Sequence, residues 1–396
     1  MSAERPADGV HVRAAPPAID VAVAVAGVAA LTAFVWLFLA AENVWLVVAL
    51  ITVGAAAGSL VQRGRGNARY GRALAAYPRL GAALGMLAVL ALAIAFRDQP
   101  YPLLMICTVL LFIVACFGLT IQTGYCGIVN FAGAAFFGTG AYTAAAFAAI
   151  HGMPHLVLIV AGGLIAALVG SLLILPVLRT RGYYAALITI AFGILFSTFL
   201  EVNNALGGPQ GLKLPGIDLF GWHFNRDVAI GGFRLSFYVN YLLLCLVLTL
   251  LAYAFVRRVE RSWIGLAFDA VRLDETAAAT FGIGIARWKI AAFTFGNFLC
   301  GIAGAIYAMM QGFIAPNNFT FGDSLILVSI LILGGLGNPL GVIPAAAIII
   351  MIPQKLQFIQ EYRFLLYGVL VILILLFRPE GLLPRSVRDY FPARRG

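Results

Sequence analysis

A polar, mostly basic segment between two long apolar stretches contains residues suited to docking another protein. Within residues 260–289, Phe268 and Val271 recur at helical spacing, and Asp274 and Glu275 interrupt the run of positive charge. A loop that only anchors membrane topology has no need of an apolar stripe along a helix. The pattern therefore favours a short amphipathic helix that binds a partner protein over a plain topological anchor.

A second polar set lies among glycines. In residues 124–143, Asn130, Tyr142 and Thr143 stand close to five glycine residues. Small residues let neighbouring helices approach closely, and packing alone explains the glycines on that interpretation. Polar side chains beside a glycine-broken helix instead favour a polar cavity on a transport pathway. The residues alone leave both interpretations open.

The sequence carries no signature of catalysis. None of the three lysines lies in a phosphate-binding loop, and the four histidines form no metal-binding or catalytic set. The five cysteines are scattered through apolar stretches, where cysteine behaves as a small hydrophobic residue. Asp and Glu fall near the ends of apolar stretches, which argues against a proton-coupled or sodium-coupled carrier. We expect no catalytic residue, metal or cofactor on this chain, so any ATP is hydrolysed on another chain.

Long apolar helices must position these residues. Of the 396 residues, 62% are apolar and only 11% are charged, whereas soluble domains carry about 25% charged residues. The net charge of +10 comes largely from arginine clusters just beyond apolar stretches, as on the cytoplasmic side of a membrane. A nucleic-acid-binding protein would gather them on one face. The composition predicts an all-α polytopic membrane protein with about 10–12 spans and both termini in the cytoplasm.

Runs of roughly twenty apolar residues mark the expected spans. They lie at residues 19–40, 45–62, 80–96, 101–121, 131–150, 155–178, 183–200, 235–256, 290–311, 322–336, 340–354 and 364–377. With these spans every arginine-rich segment falls on the cytoplasmic side, and residues 201–234 form the sizeable external loop. That loop is too short for a domain with its own core, but it is long enough for a short surface helix and a turn.

Several short motifs follow one another in a recognisable order. They are Gly124–Thr143, Arg181–Ala185, Gly207–Leu212, Asp274–Ala278, Gly334–Gly337 and Phe377–Leu383. With these motifs the chain resembles the LivM-type membrane subunits of ABC importers for branched-chain amino acids, over roughly Tyr101–Pro384. The resemblance implies an ABC importer permease in the bacterial inner membrane. It implies alternating access with a second permease in a heterodimer, two cytoplasmic subunits that bind ATP and Mg, and an extracytoplasmic binding protein.

The resemblance also assigns roles to parts of the chain. It implies a cytoplasmic tail at 1–18, additional helices at 19–96, a permease core at 101–378 with external loop 201–234 and coupling loop 257–289, and a basic cytoplasmic tail at 379–396. The residues implied for coupling to the ATPase are Phe268, Val271, Arg272, Asp274, Glu275 and Gly282. The polar lining of the substrate pathway is expected at Asn130, Tyr142, Thr143 and Thr189, and binding-protein docking at Gly207, Gly208, Pro209, Gln210 and Gly211.

The chain also departs from the family pattern. Glu275 is followed by Thr276 where the pattern has Ala, and Gly282 comes seven residues after Glu275 instead of six. Tyr183 stands where an Asp is expected. These departures leave an importer of another small amide or carboxylate, such as urea, as an alternative. A stand-alone secondary carrier or channel is the other alternative, and it would transport without ATP.

Overall fold

A computed structural model of the chain describes most of its residues. The described residues are 17–41, 43–50, 52–53, 78–148, 153–178, 180, 183–219, 221–230 and 233–356, with 362, 365, 368, 369, 372, 376, 381–383 and 385. The chain divides into two compact units, Met1–Ala95 and Phe96–Gly396. The expected tail 1–18 and the expected spans 45–62 and 364–377 lie largely outside the described residues.

The first unit contains a pair of apolar helices. Helix α1 (Pro17–Ala40) packs against helix α2 (Pro78–Ala95), and residues 44–50 are also helical. Both helices occupy positions where the sequence predicts spans. The side chains of α1 and α2 are apolar on every face of each helix, as expected for helices that face lipid.

The second unit holds the remaining described helices. They are α3 (Pro100–Leu119), α4 (Gly133–Ala148), α5 (His155–Leu178), α6 (Tyr183–Val202), α7 (Tyr238–Arg261), α8 (Trp263–Leu273), α9 (Glu275–Thr280), α10 (Ile285–Gln311), α11 (Phe321–Gly334) and α12 (Pro339–Lys355). A π-helical turn, Thr120–Tyr125, extends α3. The predicted coupling segment therefore forms two helices, α8 and α9. The polar residue Asp274, which caps α9, separates them.

Six of the described helices are long and apolar enough to cross a membrane. They are Pro100–Tyr125, His155–Leu178, Tyr184–Val202, Tyr238–Arg261, Ile285–Gln311 and Pro316–Gly334. Shorter apolar helices lie at Val25–Ala40, Ala83–Ala95 and Pro339–Lys355. The predicted fold class, a polytopic helical membrane protein, is confirmed.

Helix α10 lies at the centre of the second unit, where it contacts α3, α4 and α5. The contacts are close because glycines face each other. A methyl group on Gly140 would overlap the backbone of Gly301, and one on Gly304 would overlap the backbone of Phe137. Small residues thus bring α4 and α10 together at backbone distance, which makes α10 a rigid support for the elements around it.

The segment between α6 and α7 contains short strands and turns. The strands are β1 (Leu212–Lys213), β2 (Asp218–Leu219), β3 (Trp222–His223), β4 (Val228–Ile230) and β5 (Phe233–Leu235), and β6 (Phe313–Ile314) follows α10. Antiparallel pairs form between β1 and β6, β2 and β3, and β4 and β5. The predicted span start at Leu235 was wrong, because Leu235 pairs in β5 and α7 begins at Tyr238. Two 3₁₀ turns, Asn204–Leu206 and Gly208–Gln210, stand where a short surface helix was expected.

Candidate functional site

The chain leaves helical geometry between the π turn and α4, at residues 126–132. Two buried side chains satisfy the backbone of this break. Asn130 Oδ1 accepts a hydrogen bond from the amide of Ala132 at 2.8 Å, and Thr189 Oγ1 accepts one from the amide of Phe131 at 3.1 Å. Buried backbone N–H groups are almost always paired, by side chains as well as by other backbone groups. The break is therefore fixed by specific side-chain hydrogen bonds, and a transport pathway beside it stays a prediction.

A chain of buried amides fastens the break to α10. Asn130 Nδ2 donates to Gln122 Oε1 at 2.7 Å. Gln122 Nε2 in turn donates to Asn297 Oδ1 at 2.8 Å and to the carbonyl of Phe293 at 3.2 Å. The three amide side chains are almost completely buried. Gln122 and Asn297 were missed by the sequence reasoning, which searched the apolar stretches for acidic residues and histidines; a search for amides would have found them.

The other predicted pathway residues lie apart from this network. Thr143 Oγ1 donates to the carbonyl of Thr139 at 2.7 Å within α4. Tyr142 is buried, and its ring meets the edge of Phe319 with 5.8 Å between ring centroids. Its hydroxyl group has no hydrogen-bond partner among the described residues. Asn130 and Thr189 are thus brought together at the break. Thr143 instead bonds within α4, and Tyr142 packs against Phe319. A lining role for all four stays a prediction.

The apolar stripe of α8 faces the interior of this chain. Phe268 and Val271 are buried, and the Phe268 ring packs edge-on against Trp288 at 5.8 Å. The stripe therefore packs within this chain and does not by itself support docking. Because Phe268 and Val271 are buried, a partner protein cannot contact them in this structure. Four other large apolar side chains of the segment are exposed: Trp263, Leu266, Leu273 and Phe281, at 70%, 50%, 77% and 85% exposure.

The polar coupling residues form and hold α9. Asp274 caps the helix by accepting hydrogen bonds from the amides of Thr276 and Ala277 at 2.8 and 3.0 Å. Glu275 pairs with Lys289 of α10 at 2.7 Å. Gly282 follows the helix with a positive φ of 79°. Each residue has a structural role here, and a role in coupling stays a prediction.

A buried ion pair ties α8 to the C-terminal part of the chain. Arg385 Nη1 and Nη2 donate to the two carboxylate oxygens of Asp269 at 2.8 and 3.0 Å. The Arg385 and Asp269 side chains are only 13% and 9% exposed. The guanidinium also lies over the ring of Tyr125, 4.8 Å from its centroid, while Arg272, predicted to couple, is 3.8 Å from Asp269. Such a two-pronged pair fixes geometry as well as charge.

The same place joins four parts of the chain, which we call the junction: α8, the π turn, the loop between α11 and α12, and residues 381–383 with 385. The amide of Leu382 donates to the carbonyl of Leu333 at 2.7 Å. A Cβ atom on Gly124 would stand 2.6 Å from the Cα atom of Gly337, so only glycine permits this approach. Sequence reasoning placed Arg385 in a basic terminal cluster and missed the junction. The distance along the chain between Asp269 and its partner hides the pair.

The predicted docking residues form a turn next to α6. Gly207, Gly208 and Gly211 have positive φ values of 82°, 49° and 72°, and so they shape the turn rather than offer side chains. Pro209 and Gln210 are exposed between them. The exposed pair is what a binding protein would meet, and docking here stays a prediction.

These features define a multi-pass helical membrane protein in which a buried amide network holds a non-helical segment between two helices. Over residues 101–375 the chain matches the family described as branched-chain amino acid transport system / permease component. The chain belongs to this family, and the matched region begins just inside the second compact unit. It is a transport protein.

Relatives carry the same description. The high-affinity branched-chain amino acid transport system permease protein LivM of Salmonella typhimurium (strain LT2) is 34% identical over 291 residues, covering 70% of this chain and 68% of the relative. The protein of that name from Escherichia coli (strain K12) matches to the same extent. A probable LivM of Methanocaldococcus jannaschii is 26% identical over 251 residues, covering 58% of this chain and 68% of the relative. No solved structure matches the chain. All three relatives are permease components rather than enzymes.

Proposed function

We propose that this chain is the permease subunit of an ATP-driven importer for branched-chain or similar hydrophobic amino acids in the bacterial inner membrane. It works with a second permease, two ATP-binding subunits that hold ATP and Mg²⁺, and an extracytoplasmic binding protein. Family membership supports the substrate class. The lack of a phosphate-binding loop in the sequence supports hydrolysis on partner chains.

The observation that carries the proposal is the two-sided character of residues 263–282. On one side, buried Phe268 and the ion pair of the junction fasten the segment to this chain. On the other side, Leu273 and Phe281 expose most of their apolar surface. Large apolar side chains on the surface of a firmly held segment suit a protein partner. A partner that binds there can move the membrane helices.

The junction supplies the route for that movement. Arg385 contacts α8 through Asp269 and the π turn through Tyr125. The π turn leads directly into the break. Its Gln122 bonds both to Asn130 of the break and to Asn297 of α10. A displacement of α8 therefore acts on the end of α3 and on the broken helix. Because packed elements move as discrete units, a small shift at α8 can change the state of the core.

Uptake of radiolabelled leucine into proteoliposomes tests the proposal. The vesicles contain this chain, its second permease, both ATP-binding subunits and the binding protein. We expect ATP-dependent uptake that stops when either this chain or the ATP-binding subunits are left out. ATPase stimulation by the binding protein loaded with another ligand, without leucine uptake, would keep the importer and change its substrate. Leucine flux through this chain alone would refute the importer.

The exposed aromatic residue of the coupling segment gives a sharper test. Truncating an anchoring aromatic side chain at an interface costs about 2 kcal/mol or more, so Phe281→Ala should lower binding-protein-stimulated ATPase activity substantially. The fold should survive, because Phe281 is 85% exposed. The matched control is Leu251→Ala, which removes a 63% exposed side chain in the middle of α7, outside both the segment and the predicted docking turn. Normal stimulation in a Leu273→Ala/Phe281→Ala double variant would refute docking on this surface.

A further inference from the structure

A cavity of about 250 Å³ lies among α3, α4, α10, α11 and α12, beside the 3₁₀ turn Pro316–Asn318. Five side chains form an apolar wall of the cavity: Phe112, Phe137, Ile326, Leu327 and Ile350. Thr108 and Tyr307 also line the cavity and add two hydroxyl groups. Pockets for drug-sized molecules occupy about 300–1,000 Å³, so this cavity suits a smaller molecule. The apolar wall suits an aliphatic group.

The rim of the cavity is polar. Asn317, Asn318 and Gln354 line it, and their side-chain amides bind no residue that the structure describes. Asp323 also lines it, and its Oδ2 is fixed by hydrogen bonds from the amide and hydroxyl of Thr320 at 3.0 and 2.7 Å. A carboxylate pairs with an ammonium group, and amide N–H groups donate to a carboxylate. The rim therefore offers both halves of a zwitterion a partner.

The cavity lies close to the segment between α6 and α7. Strand β6, which immediately precedes the Pro316–Asn318 turn, pairs with β1 of that segment. Helix α6 contacts both the Pro316–Asn318 turn and the Gly208–Gln210 turn. Asn317 and Asn318 are exposed. The rim and the Gly208–Gln210 turn thus lie against the same helix, α6.

We propose that this cavity is a substrate-binding site for a small zwitterionic amino acid with a branched aliphatic side chain. The inference rests on the proposed function and adds the place of binding and the contacts. The aliphatic group lies against Phe112, Ile326 and Ile350, while the ammonium group faces Asp323. The amides of Asn317 and Asn318 receive the carboxylate of the ligand.

Protection of an introduced cysteine tests the site without requiring transport. Asn318→Cys, made in the assembled complex, places a thiol at the rim, and its rate of reaction with a maleimide is measured against leucine concentration. The five native cysteines are buried. We expect a saturable slowing, roughly tenfold at leucine concentrations about ten times Kd, because only the unoccupied fraction reacts. Phe313→Cys, exposed in β6 and not part of the cavity lining, should react at a constant rate.

The charge contacts are tested with ligand analogues and one isosteric variant. Leucinol lacks the carboxylate and isocaproate lacks the ammonium group, so each should protect the thiol less than leucine does. Asp323→Asn keeps an acceptor for Thr320 and should weaken protection by leucine. Asp98→Asn, which changes an exposed carboxylate in another place, should not.

The outcomes separate this site from the proposed function. Leucine uptake by the wild-type complex without protection of position 318 would overturn the site and leave the importer. Protection without uptake would support the site and refute leucine import. A thiol at position 318 that maleimide cannot reach in the assembled complex would also overturn the site, because a covered cavity cannot receive substrate.

Discussion

At the junction, Asp269 is held by two hydrogen bonds from Arg385, whereas at the cavity the amides of Asn317 and Asn318 bind no described residue. The same contrast holds for amides alone. Gln122 is buried and bonded to two neighbouring amides, while Asn318 is exposed at a rim. The polar groups of one region are thus occupied by the protein itself. The amides at the rim of the other region are available to a ligand.

This difference matches two different tasks. A junction that passes movement from α8 to the broken helix must not yield, and a buried two-pronged ion pair resists displacement in both distance and angle. A site on a transport pathway must bind its substrate and also release it, so weak and few contacts serve it better. The fold puts rigidity and availability into separate regions.

The largest expected effect follows from breaking the junction. Removing one partner of a buried ion pair costs about 3–5 kcal/mol, because the remaining charge is left buried. Arg385→Ala should therefore lower the thermal stability of the detergent-solubilised protein strongly and abolish ATPase stimulation. Arg97→Ala, which breaks an exposed pair with Asp98, should change stability by about 1 kcal/mol or less. Equal stability of the two variants would show that the junction does not stabilise the fold.

An intermediate effect is expected from the buried amide of the broken helix. Gln122→Ala leaves Asn130 Nδ2 and Asn297 Oδ1 without their partner. Unsatisfied buried polar groups cost about 1–3 kcal/mol, so thermal unfolding should shift by less than in Arg385→Ala. Gln122→Glu is a useful companion, since it keeps the shape and the acceptor for Asn130 but loses the donor to Asn297. Unchanged stability in both variants would contradict the locking role of the network.

The smallest effect on stability is expected at the rim. Asn318→Ala removes an exposed amide, and substitutions of this kind usually change stability by less than about 0.5 kcal/mol. Its effect should appear instead as a higher KM for uptake with unchanged binding-protein affinity. A stability loss as large as that of Gln122→Ala would show that Asn318 is structural, and the contrast between the two regions would disappear.

The helices were predictable from the sequence because each is an uninterrupted apolar stretch. The expected span 155–178 coincides with α5, whereas the glycines and polar residues after α3 left a broken helix and a tightly packed helix both open. The strands β4 and β5 were not predicted, because each has three residues and lies in a segment that was expected only as an external loop, apart from Leu235. Strand pairing depends on distant partners that a local pattern does not contain.

The site residues show the same limit. Phe268 and Val271 were correctly expected on one face of a helix, but the sequence does not say what that face meets, and Trp288 of α10 covers it. Asp269 looks like an ordinary polar residue of a basic loop until Arg385 is placed beside it. Contacts between separate elements decide which side chains a partner can reach.

The distance along the chain between Asp269 and Arg385 also orders the events of biosynthesis. Their separation is 116 residues, and ribosomes add about 5–20 residues per second. Helix α8 is therefore made roughly ten seconds before Arg385 is added to the chain. Helices α10, α11 and α12 are made in that interval. The junction closes as a late step of maturation, after the core it connects has been inserted. A nascent chain in which Asp269 does not yet pair with Arg385 thus differs from a finished subunit in a feature that a protease or chaperone can recognise.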